Sequence, residues 1–150
     1  MAEIETGRRV VAASECDTLG HANIASYIAY VSDSGFAMMN HVGLGRDNIL
    51  DGRRLGIAVV DMQAQYKAEL LPGDCIHLRT GLLSTGTKSM VFRHRIYRSR
   101  SDGSEQLVFE GRFTKVLMDL EARRAIAIPE DIKDKLETLR LAPAEEGETT

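Results

Sequence analysis

The chain has 150 residues, 43% hydrophobic and 27% charged, with a formal net charge of −3. That length and balance predict one globular domain with its own core, and the acidic balance argues against a general nucleic-acid binder. No apolar run approaches the roughly 20 residues of a membrane span, and residues 1–6, with Glu3 and Glu5, lack the basic start and apolar core of a signal peptide, so the expected setting is cytoplasmic with no membrane partner.

In chain order, residues 8–14 read as a first short strand. From Ile24 the apolar positions recur at Tyr27, Ile28, Val31, Gly35, Met38, Met39 and Val42, the rhythm of one helical face. Asn23 suits the N-cap and Gly43 or Gly45 the stop. Gly35 in mid-helix predicts close approach of another backbone. Residues 46–54 read as a polar linker. Then Ala58, Val60, Met62, Ala64, Tyr66 and Ala68 alternate with polar residues as a half-buried strand. Leu71-Pro72-Gly73-Asp74 is a turn, and Ile76, Leu78, Thr80 and Leu82 mark the next strand. After Ser84-Thr85-Gly86-Thr87, a strand carries Met90, Phe92 and Ile96, with residues 101–104 as a hairpin tip. The last long strand spans 107–120. Its apolar positions change phase from Leu107, Phe109 and Phe113 to Val116, Met118 and Leu120, which predicts a bulge near Lys115. Pro129 opens a short amphipathic helix with Ile132, Leu136 and Leu139. A single domain over 1–141 and a disordered acidic tail over 142–150 complete the reading. One long helix followed by a meander must bury the helix against the sheet, an α+β architecture.

The run Asp17-Thr18-Leu19-Gly20-His21-Ala22-Asn23 places a lone carboxylate beside a glycine turn at the start of the long helix. A helix start presents unpaired N–H groups, and its dipole favours developing negative charge. A carboxylate facing such donors is a candidate acyl-transfer site. Asp17 could equally serve the turn itself. His21 could bond Asp17 or the substrate, or order the loop. Tyr27, one turn on, suits core packing. Cys16 is a poor nucleophile because the adjacent carboxylate disfavours its thiolate, and Cys16 and Cys75 are too few to staple the domain. His41, His77 and His94 share no metal-ligand spacing, so no metal is expected.

The spacing D-x-x-G-H-x-N-x-x-x-Y (Asp17, Gly20, His21, Asn23, Tyr27) resembles that of acyl-CoA thioesterases of the 4-hydroxybenzoyl-CoA thioesterase type. Leu71-Pro72-Gly73-Asp74, Gly86-Thr87-Lys88-Ser89 and the stretch from Val116 to Glu130 add to the resemblance. It implies the hotdog fold: an antiparallel five-stranded sheet wrapped around one long central helix, with a short C-terminal helix. It implies that Asp17 is the catalytic carboxylate, as nucleophile or general base, and that the Ile24 backbone N–H polarises the thioester carbonyl, with His21 and Asn23 completing the motif. Gly86, Lys88 and Ser89 are implied to hold the nucleotide portion of coenzyme A, where Arg93 or Arg95 could add charge unless they form a solvated outer face. Coenzyme A would be part of the substrate, with no separate cofactor. A homodimer or homotetramer with sites at the subunit interface is implied. Many relatives carry a second Asn where this chain has Ile24, so only the backbone role transfers. Where many have mid-helix Glu and Arg, this chain has Asp33 and Phe36, so either Asp33 is an auxiliary carboxylate or the change reshapes the acyl pocket. Two other readings use the same fold: an enoyl-CoA hydratase or dehydratase, which needs an acid and base beside the carbonyl, and a non-catalytic acyl-CoA binding module.

Overall fold

The computed structural model describes residues 3–143. Five long strands, β1 (Ile4–Val10), β2 (Leu55–Tyr66), β3 (Cys75–Thr85), β4 (Ser89–Ser99) and β5 (Glu105–Asp119), form one antiparallel sheet in the order β1-β3-β4-β5-β2. A two-residue strand, β6 (Arg124–Ala125), pairs with β5. The sheet curls around α1 (Ile24–His41), whose preceding and following strands, β1 and β2, lie at opposite edges. This is the expected hotdog arrangement. The expected tail lies, beyond Ala142 and Pro143, outside the described residues.

Helix α1 begins where the sequence predicts. The Asn23 side chain accepts the Ala25 N–H at 2.9 Å, and the helix stops at Val42 because Gly43 takes φ +86°, a left-handed geometry that suits glycine. Its buried face packs into two apolar clusters. Tyr27, Tyr30 and Val31 meet Ile76, Leu78, Ile96, Phe109 and Phe113 at one end. Met38 and Val42 meet Leu82, Met90, Phe92 and Leu117 at the other, closed by Ile132 and Leu136 of α3 (Glu130–Glu137). After α3 the chain returns to β3, where the Leu82 N–H donates to Leu139 O and Leu82 O accepts the Leu141 N–H.

Four expectations change. The first strand lies earlier than residues 8–14: its ladder ends at Val10, Val11 N–H passes to Asp74 O, and a 3-10 turn (Ala13–Glu15) follows. The supposed linker contains α2 (Arg46–Leu50), organised by the buried Asn48 amide, which donates to Gly45 O at 2.7 Å and Leu55 O at 3.1 Å and accepts Leu55 N–H at 2.7 Å. Strand β5 does not change phase at Lys115. Phe109, Gly111, Phe113, Lys115 and Leu117 all lie on the buried alternation, while Val116 and Met118 take the other. The extra residue at this level is Val60 of β2, because Val59 pairs with Lys115 and Asp61 with Thr114. A buried lysine and outward apolar residues imitated a phase change. Gly35 does admit a close neighbour, but it is the Lys115 ammonium, 3.6 Å from where a Cβ would stand, and not a backbone.

Asn48 replaces backbone partners that α2 and β2 could not otherwise supply to each other. Asn48→Ala should destabilise the fold by about 1–3 kcal/mol, read as a lower denaturant midpoint with an unchanged slope.

Candidate active site

The loop before α1 is built around Asp17. Its backbone closes a turn with Gly20, whose N–H donates to Asp17 O at 3.0 Å, and Gly20 adopts φ +87° as that turn demands. One carboxylate oxygen, Oδ1, accepts the Leu19 N–H at 2.9 Å; Oδ2 accepts the Asn23 amide N–H at 3.0 Å. These two donors, followed by His21, hold the Asp17 carboxyl below its usual range although it is exposed. Asn23 therefore binds twice, donating to Asp17 and capping α1. The Ile24 N–H, next along, has no hydrogen-bond acceptor among the described residues. A hydrogen-bonded path thus runs from the Asp17 carboxylate through the Asn23 amide to the Ala25 N–H, and the free Ile24 N–H lies between Asn23 and Ala25 in the chain.

The structure also shows Glu15, which the sequence did not single out. Its carboxylate takes the Arg9 guanidinium, the Ala12 N–H at 2.7 Å and the Tyr30 hydroxyl at 3.1 Å, while its carbonyl accepts the Asn23 N–H at 3.0 Å and the Ser26 hydroxyl at 2.8 Å. Glu15 positions the loop. Its only sequence signal is an acidic residue inside a helix-entry segment.

Beside the helix start, a cavity of about 280 Å³ is lined by His21, Ile24, Tyr27, Tyr66, Ala68 and Glu69. Tyr27 is core, as predicted, with its hydroxyl bonded to Ala68 O at 2.9 Å; Tyr66 donates to Ile24 O at 3.1 Å. His21 does not bond Asp17: its Nδ1 lies 3.3 Å from Ala22 O and its Nε2 3.7 Å from Glu69. Further along the same gap between α1 and β2, a second cavity of about 370 Å³ is lined by Ile28, Val31, Gly35, Phe36, Met62 and Lys115, among others. Asp33 does not face it. It lines a separate cavity with Thr6, Arg9 and Leu78 on the β1 side, so the auxiliary-carboxylate position is turned away from the groove. Cys16 has its thiol pushed up by partial burial and by Glu15 and Asp17, against a nucleophilic role.

Gly86, Lys88 and Ser89 do not join this site within the chain. The Ala22 N–H bonds Leu70 O and Val10 pairs with Cys75, so Asp17 sits at the Cys75 end of β3; the turn lies beyond Thr85, at the other end. At about 3.3 Å per residue, β3 separates them by roughly 33 Å. The turn is ordered by Gly86 N–H to Ser89 O at 2.9 Å and Leu117 N–H to Lys88 O at 2.9 Å, leaving the Lys88 side chain exposed. Arg93 and Arg95 are not a solvated face. Both are buried, Arg95 against Glu110 (Nε to Oε1, 2.6 Å) and Arg93 with Glu3 at 3.7 Å. Among the described residues, no group of three or more His, Cys, Asp or Glu is placed to hold a metal ion, and no helix is long and apolar enough to cross a membrane.

Residues 11–136 match the thioesterase-like superfamily, and the chain belongs to it. Among solved structures it is similar to a 4-hydroxybenzoyl-CoA thioesterase variant complexed with 4-hydroxybenzoyl-CoA: 21% identity, TM-score 0.81, covering 91% of this chain and 99% of that one. It is also similar to a hypothetical protein from Staphylococcus aureus in complex with CoA (17% identity, TM-score 0.80, 95% and 89% covered). A third is a hexameric broad-specificity acyl-coenzyme A thioesterase (16% identity, TM-score 0.74, 91% and 94% covered). No curated protein sequence matches the chain.

Asp17 gains from its amide partners only while ionised. Its lowered pKa therefore contributes stability above the ordinary carboxylate range, and that contribution is lost as pH falls through the folded value. Asn23→Ala should raise the Asp17 pKa, seen as an upward shift of its carboxyl carbon titration by NMR, and should weaken the start of α1 by about 1 kcal/mol.

Proposed function

We propose that the protein hydrolyses an acyl-CoA thioester to a free acid and coenzyme A, with the Asp17 carboxylate and the Ile24 N–H at the reacting carbonyl. The observation that carries this reading is the Asn23 side chain, which joins the Asp17 carboxylate to the cap of α1 beside the unpaired Ile24 N–H, with Ile24 itself lining an apolar cavity. Asp17 either attacks the thioester carbon or takes a proton from the attacking water. Both routes form a tetrahedral oxyanion, to which the Ile24 N–H donates at the positive end of the α1 dipole. Collapse expels the thiolate of coenzyme A, which is then protonated; on the general-base route this leaves the free acid directly, and on the nucleophilic route it leaves an acyl–Asp17 anhydride that a water molecule then hydrolyses to the free acid and the restored carboxylate. Asn23 is the positioning residue, since one amide sets both the carboxylate and the helix cap. His21 orders the rim of the groove. The solved thioesterases of similar fold support this chemistry. No cofactor is called for, because coenzyme A enters as part of the substrate.

The same reading calls for a homodimer or a higher oligomer built from it. Strand β2 is a sheet edge carrying Val59, Val60, Met62 and Tyr66 largely exposed, a liability for a lone chain. Antiparallel pairing of two β2 edges about a twofold axis joins the sheets. It also lays the Leu55 end of one copy beside the Tyr66 end of the other. Because Arg54 O accepts the Leu120 N–H and Lys88 O the Leu117 N–H, the Gly86–Ser89 turn belongs to the Leu55 end. The pairing thus carries a second copy's turn to the end where the first holds Asp17. Lys88, Ser89 and the Gly86 backbone then serve the phosphates of coenzyme A across the interface.

Asp17→Asn should abolish release of free thiol from a panel of acyl-CoAs while leaving circular dichroism unchanged; unaltered turnover would remove Asp17 from the mechanism. Asp17→Asn and Lys88→Glu chains, each defective alone, should recover about a quarter of parental activity when co-expressed, since a random mixture of dimers restores that share of sites. No recovery would place both residues in one subunit's site. Enoyl-CoA hydration without thiol release would favour the hydratase reading, and tight CoA-ester binding with no turnover the binding-module reading.

A further inference from the structure

One charge lies deep in the groove between α1 and β2. Lys115 is on the inner face of β5, 6% exposed, where its strand neighbours Phe113 and Leu117 are core residues. Its ammonium lines the second cavity together with Val31, Gly35, Phe36, Val59 and Met62. A buried ammonium is costly unless it is met by acceptors. What meets it is a row of polar side chains, one from each of four adjacent strands. Lys115 Nζ is 3.3 Å from His94 Nε2, His94 Nδ1 is 2.9 Å from Thr80 Oγ1, and Thr80 Oγ1 is 3.1 Å from Thr6 Oγ1. The ammonium has only protons to give, so Nε2 accepts, and His94 is neutral with its proton on Nδ1. Burial, followed by the Lys115 charge, holds the His94 pKa well below its usual value, in agreement.

That bond occupies one of three N–H donors. The rings of Phe92 and Phe113, 5.1 and 5.8 Å from Nζ, supply only weak cation–π attraction. Among the described residues no carboxylate lies within ion-pair distance of Lys115. Gly35 leaves the helix side of the ammonium open, since no side chain stands between them. Burial draws its pKa down to about 8, which keeps it mostly protonated at neutral pH. A cation with spare donors at the inner end of an apolar groove lacks an anion.

We propose that the Lys115 ammonium is the counter-ion for a carboxylate at the far end of the acyl group, so that the substrate is the CoA thioester of a dicarboxylic acid. This rests on the thioesterase reading above. The Ile24 N–H and Gly35 are about 16 Å apart by helix rise, which sets the acyl length. The walls between them, Ile28, Val31 and Met62, suit methylene groups, and the terminal ion pair supplies the discrimination. A methyl-ended chain of equal length would cover the ammonium without pairing it.

The test uses two acyl-CoAs matched in length, one ending in carboxylate and one in methyl, with their non-hydrolysable thioether analogues. The parent, Lys115→Met and Lys115→Gln are compared by kcat/KM and by calorimetric binding of the thioethers. The parent should favour the carboxylate end by about tenfold or more in both readouts. Both variants should lose that preference while handling the methyl-ended compounds within about twofold of the parent. Equal losses for both chain ends in folded variants, or no preference in the parent's thioether binding, would overturn the proposal. Turnover without chain-end preference sinks the anion site and leaves the thioesterase reading standing. Thioether discrimination that depends on Lys115 without turnover does the reverse. Should neither variant fold, the parent's own preference decides.

Discussion

Asn23 caps α1, and a single residue before it, Glu15, fixes where that cap stands. Glu15 ties Arg9 at the end of β1, the Ala12 amide in the loop and the Tyr30 hydroxyl on α1, while its carbonyl holds the Asn23 N–H and the Ser26 hydroxyl. Few other tertiary bonds restrain this loop; the Ala22 N–H to Leu70 O bond is the main one. Remove the Glu15 contacts and the helix could still pack its apolar face, but the azimuth of its first turn would be loose. That turn carries the unpaired Ile24 N–H, and Asn23 links it to the Asp17 carboxylate. Charge-assisted bonds to a partly buried Glu are strong enough to set such a geometry, because their competitors in water are partly excluded.

Much of this architecture can be read from the chain because it depends on period. The α1 face, the Asn23 cap, the alternation along β3 and β4 and the turns at Gly73 and Gly103 follow from which residues are apolar and which tolerate unusual φ, whereas the alternation expected along β2 changes phase at Val60. What could not be read depends on pairing. Lys115 looks like an outward residue, Val116 and Met118 like inward ones, and only His94 on the neighbouring strand makes the opposite phase tolerable. Arg95 looks solvated until Glu110 is seen across the sheet. Asn48 looks like a loop residue until both backbone groups of Leu55 are found bonded to it. Periodicity reports the average environment of a face; a polar residue met by a partner far along the chain can violate it at reduced cost. The candidate site divides the same way. Asp17, Asn23 and Ile24 are local in sequence and legible, whereas Glu15 acts through tertiary contacts.

The spatial separation of the motif residues is itself informative. A sheet strand as long as β3 places its two turns at opposite ends of the protomer, so Asp17 and Lys88 can share a ligand only if symmetry folds the distance back. An antiparallel contact along β2 would do so because it would reverse strand direction across the interface. The exposed apolar residues of that edge and the remoteness of the Gly86–Ser89 turn from Asp17 belong to one topology, in which β2 ends the sheet next to β5.

Helix α1 gives this arrangement its length scale. Its N-terminus presents the unpaired Ile24 N–H, while its middle, at Gly35, faces the polar row that crosses the sheet between the two apolar clusters. A core made entirely of aliphatic residues would pack as well, and replacing buried ionic groups by apolar ones is often neutral or stabilising. The chain therefore carries a stability cost at Lys115 that packing alone does not repay. Such a cost is most readily offset by a ligand that binds only the folded state, because its binding free energy then adds to stability by mass action. On that argument, the residue least suited to the core is the one whose partner must come from outside the chain.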